Sequence, residues 1–113
     1  MPSPSKAAFA ELQSLAFGSI SGAYASIGSP LPAPARIIKI TNYTNEPVLI
    51  SIDGVTNHDF IAEKGFALYD VMSNKSQTSS EELAFPAQTQ VSVKQLVGAP
   101  TSGSVYLTIL YNT

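Results

Sequence analysis

A chain of 113 residues with 44% apolar and 12% charged side chains, and a formal net charge of -2, is long enough for one domain with a substantial core. Its six cations stand singly, which argues against a nucleic-acid-binding stripe, and the lack of cysteine excludes disulfide staples, thiolate metal sites and thiol nucleophiles. The charged share is about half of the roughly 25% usual in soluble domains, so part of the surface is expected to meet something other than water.

Five of the eight prolines, Pro2, Pro4, Pro30, Pro32 and Pro34, fall in the first third of the chain. That third reads as an arm, residues 1–35, ahead of a body at 36–113. Within it "SKAAFAELQSLAF" offers Ser5 as an N-cap and Phe9, Leu12 and Leu15 on one stripe of a short helix; the alternative is an extended segment. A strand is expected from about Ser19 to Ile27, and "PLPAP" then stiffens the backbone near polyproline geometry. The Ala23-Tyr24-Ala25 triplet imitates the end of a secretory leader, but Glu11 and Gln13 break the apolar run and argue against cleavage. No apolar run reaches the roughly 18 residues of a membrane-spanning helix, so no membrane partner is expected.

The body reads as short strands: "ARIIKITN", "EPVLISIDG", "HDFIAE", "FALYDVM", "TQVSVKQLV" and "GSVYLTILY". Val48, Ile50 and Ile52 share one face, as do Val91 and Val93. Turn residues separate the strands, with Gly54 free to take a left-handed conformation, and "MSNKSQTSSEE" forms a longer polar connection. The pattern predicts an all-β fold: an antiparallel β-sandwich, jelly-roll-like, with an N-terminal extended or partly helical arm.

The last strand poses a packing question. Val105, Leu107, Ile109 and Tyr111 fill one face, while Tyr106 and Leu110 load the other. Either the arm or a neighbouring subunit covers Tyr106 and Leu110, or the strand is central and covered by its own chain. Together with Tyr24, Pro30 and Pro32 of the arm, Tyr106 and Leu110 are the candidate interface residues.

Chemistry is sparse. The single histidine, His58, sits among Asp53, Asn57 and Asp59, where a cation site or an acid-base group competes with the plainer reading of a turn whose Asp and Asn bond their own backbone. The spacing is not that of a calcium loop, no serine lies in a G-x-S-x-G elbow, and "GAPTSG" lacks the lysine of a phosphate loop. Glu81 and Glu82, adjacent on a strand, would point apart. No catalytic residue, metal or cofactor is therefore expected, and the chain is not expected to be an enzyme. Asn42-Tyr43-Thr44 and Asn74-Lys75-Ser76 match the N-glycosylation pattern, and the five tyrosines would serve either a sugar-binding platform or cross-strand packing.

The stretches "PARIIKITNYTNEPVLISIDGV", "FALYDV" and "QVSVKQLVGAPTSGSVYLTILY" resemble small structural proteins encoded among the virion genes of tailed bacteriophages, over roughly Gly18 to Tyr111. The resemblance implies a β-sandwich made in the host cytoplasm and carried in the virion. Its partners would be other capsid or neck and tail subunits, and further copies of itself. It implies a capsid decoration or cement protein whose arm staples neighbouring subunits. The alternatives are a neck, tail or fibre-associated component, or a module that binds a host receptor or carbohydrate through its exposed tyrosines and loops.

Overall fold

The computed structural model describes residues 7–70 and 85–112. Nine strands form among them: β1 (Ala7–Phe9), β2 (Gln13–Ala16), β3 (Ala25–Ser26), β4 (Ala35–Thr44), β5 (Val48–Ser51), β6 (Asp59–Ile61), β7 (Phe66–Asp70), β8 (Ser92–Gln95) and β9 (Gly103–Asn112). Every pairing between them is antiparallel. One sheet runs β1-β9-β4-β7, with β2 following β1 along the same edge of β9, and the other runs β3-β8-β5-β6. With β1 and β2 taken as one interrupted strand, each sheet has four positions, and the chain changes sheet at every connection except β5 to β6. The fold is an antiparallel jelly-roll sandwich, as the strand pattern predicts.

Period-two alternation explains the core. Ile38 and Ile40 of β4 and Val105, Leu107 and Ile109 of β9 point inward from the first sheet, and Val48, Ile50, Ile61, Val91 and Val93 meet them from the second, all buried. The expected inner face of β9 is thus found, with Tyr111 packed at its end. Ile52, grouped by alternation with Val48 and Ile50, lies beyond the end of β5 and is exposed.

The N-terminal third departs from the expectation of an arm. The stretch read as a short helix forms β1 and β2 against β9, and the helical structure there is one 3-10 turn at Phe17–Ser19; Ser5 lies outside the described residues. The strand expected from Ser19 to Ile27 shrinks to the two residues of β3. Ile20, Ile27, Leu31 and Ala35 are core residues, and "PLPAP" is tied down by Leu31, whose N–H donates to Thr89 O and whose O accepts from Gln88 N. The physical reason is stoichiometric: a body starting at Arg36 would lack the first two positions of the roll and part of its core. Burying one large aliphatic side chain contributes roughly 1.5–3 kcal/mol, so the chain draws these residues in rather than leaving them out.

Two devices fix the register near the sheet ends. Between Ala35 and Ile37 a bulge at Arg36 lets Ala35 stay opposite Tyr111 while Ile37 pairs with Leu110 on the outer face. At the other end Gly103, opposite Thr44, holds φ at +86°, and a Cβ there would collide with the Tyr43 carbonyl. Beside it lies a buried polar knot. The Asn42 amide donates to the carbonyls of Glu46 (2.8 Å), Ile61 (3.2 Å) and Ala62 (3.2 Å), and its Oδ1 accepts from the Thr44 hydroxyl (2.6 Å) and N–H (3.1 Å). One fully buried side chain thus joins β4 to the β4–β5 and β6–β7 turns. Asn42 is therefore no glycan acceptor in the folded chain; Asn74 lies outside the described residues.

Candidate interaction surface

Cross-strand register assigns the residues of the first sheet's outer face. Antiparallel partners share a face, so four rows run across β9, β4 and β7: Leu110, Ile37 and Asp70; Thr108, Lys39 and Leu68; Tyr106, Thr41 and Phe66; and Ser104 with Tyr43. Phe9, opposite Leu110, and Ser14, opposite Tyr106, extend the first and third rows onto β1 and β2. This face is apolar and open. Phe9 is 73% exposed, Phe66 65%, Tyr43 58% and Leu68 55%, while Ile37, Tyr106 and Leu110 are half-buried. Lys39 stands near the middle, Asp70 lies at the end of β7, and Lys64 places its ammonium 4.3 Å from the centre of the Tyr43 ring. An apolar patch of this kind is a candidate contact surface.

The candidate residues read from sequence do not all meet. Tyr106 and Leu110 lie together on this face, and among the described residues neither an arm nor the opposite sheet covers them. Tyr24 belongs to the other side of the molecule: its hydroxyl donates to Asn57 Oδ1 at 2.5 Å and its ring lies beneath the Lys94 ammonium at 4.8 Å. Burial and then the charge of Asp53 raise its pKa above the usual 10.0. Pro30 and Pro32 are exposed on either side of buried Leu31, away from any strand. The sequence reading missed Phe9, Ile37, Tyr43, Phe66 and Leu68. Four of them occupy alternate positions of β4 and β7, and Phe9, read from sequence on a helical stripe, lies on β1.

The polar cluster resolves into a self-bonded turn. Asp53 Oδ1 accepts from the N–H of Val55 (2.8 Å) and Thr56 (2.7 Å) and from the Ser51 hydroxyl (2.8 Å). Those backbone bonds, first among the causes, hold the Asp53 carboxyl far below its ordinary 3.8. His58 Nδ1 accepts from the Ile52 N–H at 3.2 Å, and its Nε2 stands 4.0 Å from Asp53 Oδ2. Among the described residues no three His, Cys, Asp or Glu side chains converge as metal ligands. Glu81, Glu82 and the "MSNKSQTSSEE" connection lie outside the described residues.

Beside this turn, between β5, β6 and β7, a cavity of about 150 Å³ is lined by Ile50, Ile52, His58, Asp59, Tyr69 and Phe85. Its walls are chiefly apolar, and two of its polar groups satisfy each other: the Tyr69 hydroxyl donates to Asp59 Oδ2 at 2.5 Å. Burial first, then that bond and the Asp59 charge, push the tyrosine pKa well above 10.0. The lining holds no serine, threonine, cysteine or lysine, and the volume suits one apolar side chain. Among the described residues no helix is long and apolar enough to cross a membrane.

No protein-family model matches the chain, and no curated protein matches it. Solved structures do. A subunit from Bacillus endospore appendages, described as a family of disulfide-linked pili, is similar at a TM-score of 0.51 and 15% identity, covering 97% of this chain and 91% of that one. The Dit protein of phage SPP1, described as a paradigm of hub adsorption apparatus in phages infecting Gram-positive bacteria, is similar at 0.39 and 11%, covering 95% of this chain and 49% of that one. At these identities the first likeness speaks for the sandwich fold, over nearly the whole of both chains.

Proposed function

We propose that this chain is a non-enzymatic structural subunit of a tailed-phage virion, made in the host cytoplasm and assembled as a capsid decoration or cement protein. The observation that carries the structural part is the open apolar face of the first sheet, whose side chains gain burial only in an assembly. The turn around Asp53 supports the non-enzymatic part, because its polar atoms are spent on the turn itself. The position in the capsid rests on the resemblance of the strand and turn sequences to virion proteins.

The second reading is a subunit of an extended appendage, a neck or tail component included. It is favoured by the fold shared with the pilus subunit along 97% of the chain. Those pili are described as disulfide-linked, whereas this chain has no cysteine, so its own contacts would not be disulfides. Quantitative mass spectrometry of purified particles tests the shared premise: the chain is expected in stoichiometric amounts, and its confinement to the soluble lysate would overturn it. Immunogold labelling then separates the two readings, with label over the head for cement and along the tail for an appendage.

A further inference from the structure

Away from the open sheet face and the cavity, the β5–β6 turn holds a chemically labile step of the main chain. Asp53 is the only Asp or Asn in the sequence that glycine follows. We infer that Asp53–Gly54 is a latent modification site, where the chain rearranges to isoaspartate once the Ser51 hydroxyl no longer holds the turn shut. This goes beyond the assembly reading and does not depend on it. The chemistry needs only water. The Gly54 nitrogen attacks Asp53 Cγ, the new C–N bond closes a succinimide ring, and the carboxyl OH leaves with the amide hydrogen as water. Water then cleaves the bond from the Gly54 nitrogen to the former main-chain carbonyl. The backbone now runs through the Asp53 β-carbon, one methylene longer, and the α-carboxylate is free.

Access and restraint are both visible in the turn. The Asp53 side chain is 49% exposed, so water reaches it, and no atom lies within 4 Å of where a Cβ on Gly54 would stand, so nothing crowds the attacking nitrogen on that side. The restraint comes from buried Ser51. Its Oγ accepts from the Gly54 N–H at 2.9 Å and the Asp53 N–H at 3.2 Å, and donates to Asp53 Oδ1 at 2.8 Å, which uses the hydroxyl's whole capacity. One hydroxyl therefore binds both reacting groups. The N–H groups of Val55 and Thr56, at 2.8 and 2.7 Å, draw Oδ1 past Gly54 toward the next two residues. Ring closure consumes the Gly54 N–H and turns the carboxylate into an imide, so it forfeits the bond to Ser51 and the charge that the turn gathers. The same bonds keep the carboxyl ionised, and the ionised form is the poor electrophile because it has no OH to release.

The test incubates the full chain at mildly acidic pH, folded in buffer and unfolded in urea, and follows isoaspartate at residue 53. Because the rearrangement leaves the mass unchanged, the readout is peptide mapping with electron-transfer fragmentation. The unfolded chain is expected to isomerise at least about tenfold faster than the folded one, since each unit of pKa lowering alone cuts the protonated carboxyl about tenfold. Equal rates, or no isoaspartate even in urea, would overturn the inference. Ser51→Ala, checked for folding by circular dichroism, should raise the folded rate severalfold, the effect of one lost hydrogen bond, and Ser51→Thr, which keeps a hydroxyl, should bring it back. A folded Ser51→Ala chain that isomerises as slowly as wild type would remove Ser51 from the mechanism. If that variant does not fold, hydrogen exchange on wild type decides the same point: the Gly54 N–H should be protected, and exchange at the rate of an unfolded chain would overturn its bond to Ser51 as the restraint.

Discussion

Asn42 and Asp53 have the same task in two environments. Each sits by a turn and gathers backbone groups onto one short polar side chain, yet Asn42 is fully buried between the β4–β5 and β6–β7 turns and Asp53 is exposed beyond β5. In the interior the loss of the amide takes the acceptor from the Thr44 N–H and a donor from each carbonyl gathered on it, where water cannot readily take over. On the surface water replaces each lost bond, and what remains is an electrostatic preference for the ionised carboxylate. The lesson is that density of polar residues in sequence does not rank their structural worth. "DGVTNHD" looks richer than "NYT" and holds less together.

Breaking the interior knot should have the largest effect. Asn42→Ala takes away the acceptor of the buried Thr44 N–H and one donor each from the carbonyls of Glu46, Ile61 and Ala62, and is expected to cost about 2–3 kcal/mol, read as a fall in the urea midpoint. Gly103→Ala strikes the same corner from the opposite strand. The left-handed φ and the approach of the Tyr43 carbonyl make it destabilising by more than about 1 kcal/mol, in the same assay.

A bond of intermediate burial sharpens the contrast. Tyr69→Phe removes the phenol that links β7 to β6 and should cost about 1–2 kcal/mol near neutral pH. Because the folded pKa is raised, the stability it brings is present below about pH 10 and lost above it. Thermal melts of wild type should therefore fall more steeply with alkali than those of the variant.

Asp53 gives the smallest effect and the opposite pH sign. Its carboxyl is lowered from 3.8, so its contribution is complete above that value and disappears as pH falls through and below it. Asp53→Asn keeps an oxygen for Val55 and Thr56 but cannot titrate, so its melting temperature should lose less than that of wild type between about pH 6 and about pH 2. A wild type and variant that run parallel in acid would break the comparison, for the turn would then owe nothing to its charge.

Much of the sandwich was legible because alternation reports burial directly. Val91 and Val93, and Val105, Leu107 and Ile109, were each grouped on one face from their spacing, and they lie in the core. The N-terminal third was not legible, because proline and small residues signal irregular chain but do not say whether it is packed. Ile20, Ile27 and Leu31 are scattered without a strand period, and only the three-dimensional roll shows that each fills a gap. For the interaction face, Tyr106 and Leu110 were found because β9 is apolar on both sides. Ile37 and Phe66 escaped because a bulge shifts the phase of β4 and because β7 lies at the edge of the described sheet, where apolar outward residues look like core residues.

The place of β9 between the first strands and β4 has a kinetic consequence. Ala7 pairs with Asn112 and Gln13 with Leu107, so the first sheet cannot close until residues 103–112 have left the ribosome. Non-local pairing of this kind places folding in the millisecond to second range and leaves β4 without its central neighbour while translation continues. The nascent chain then exposes "RIIKI" as an unpaired edge, and growth temperature and translation speed should influence the soluble yield more strongly than they would for a fold that closes hairpin by hairpin.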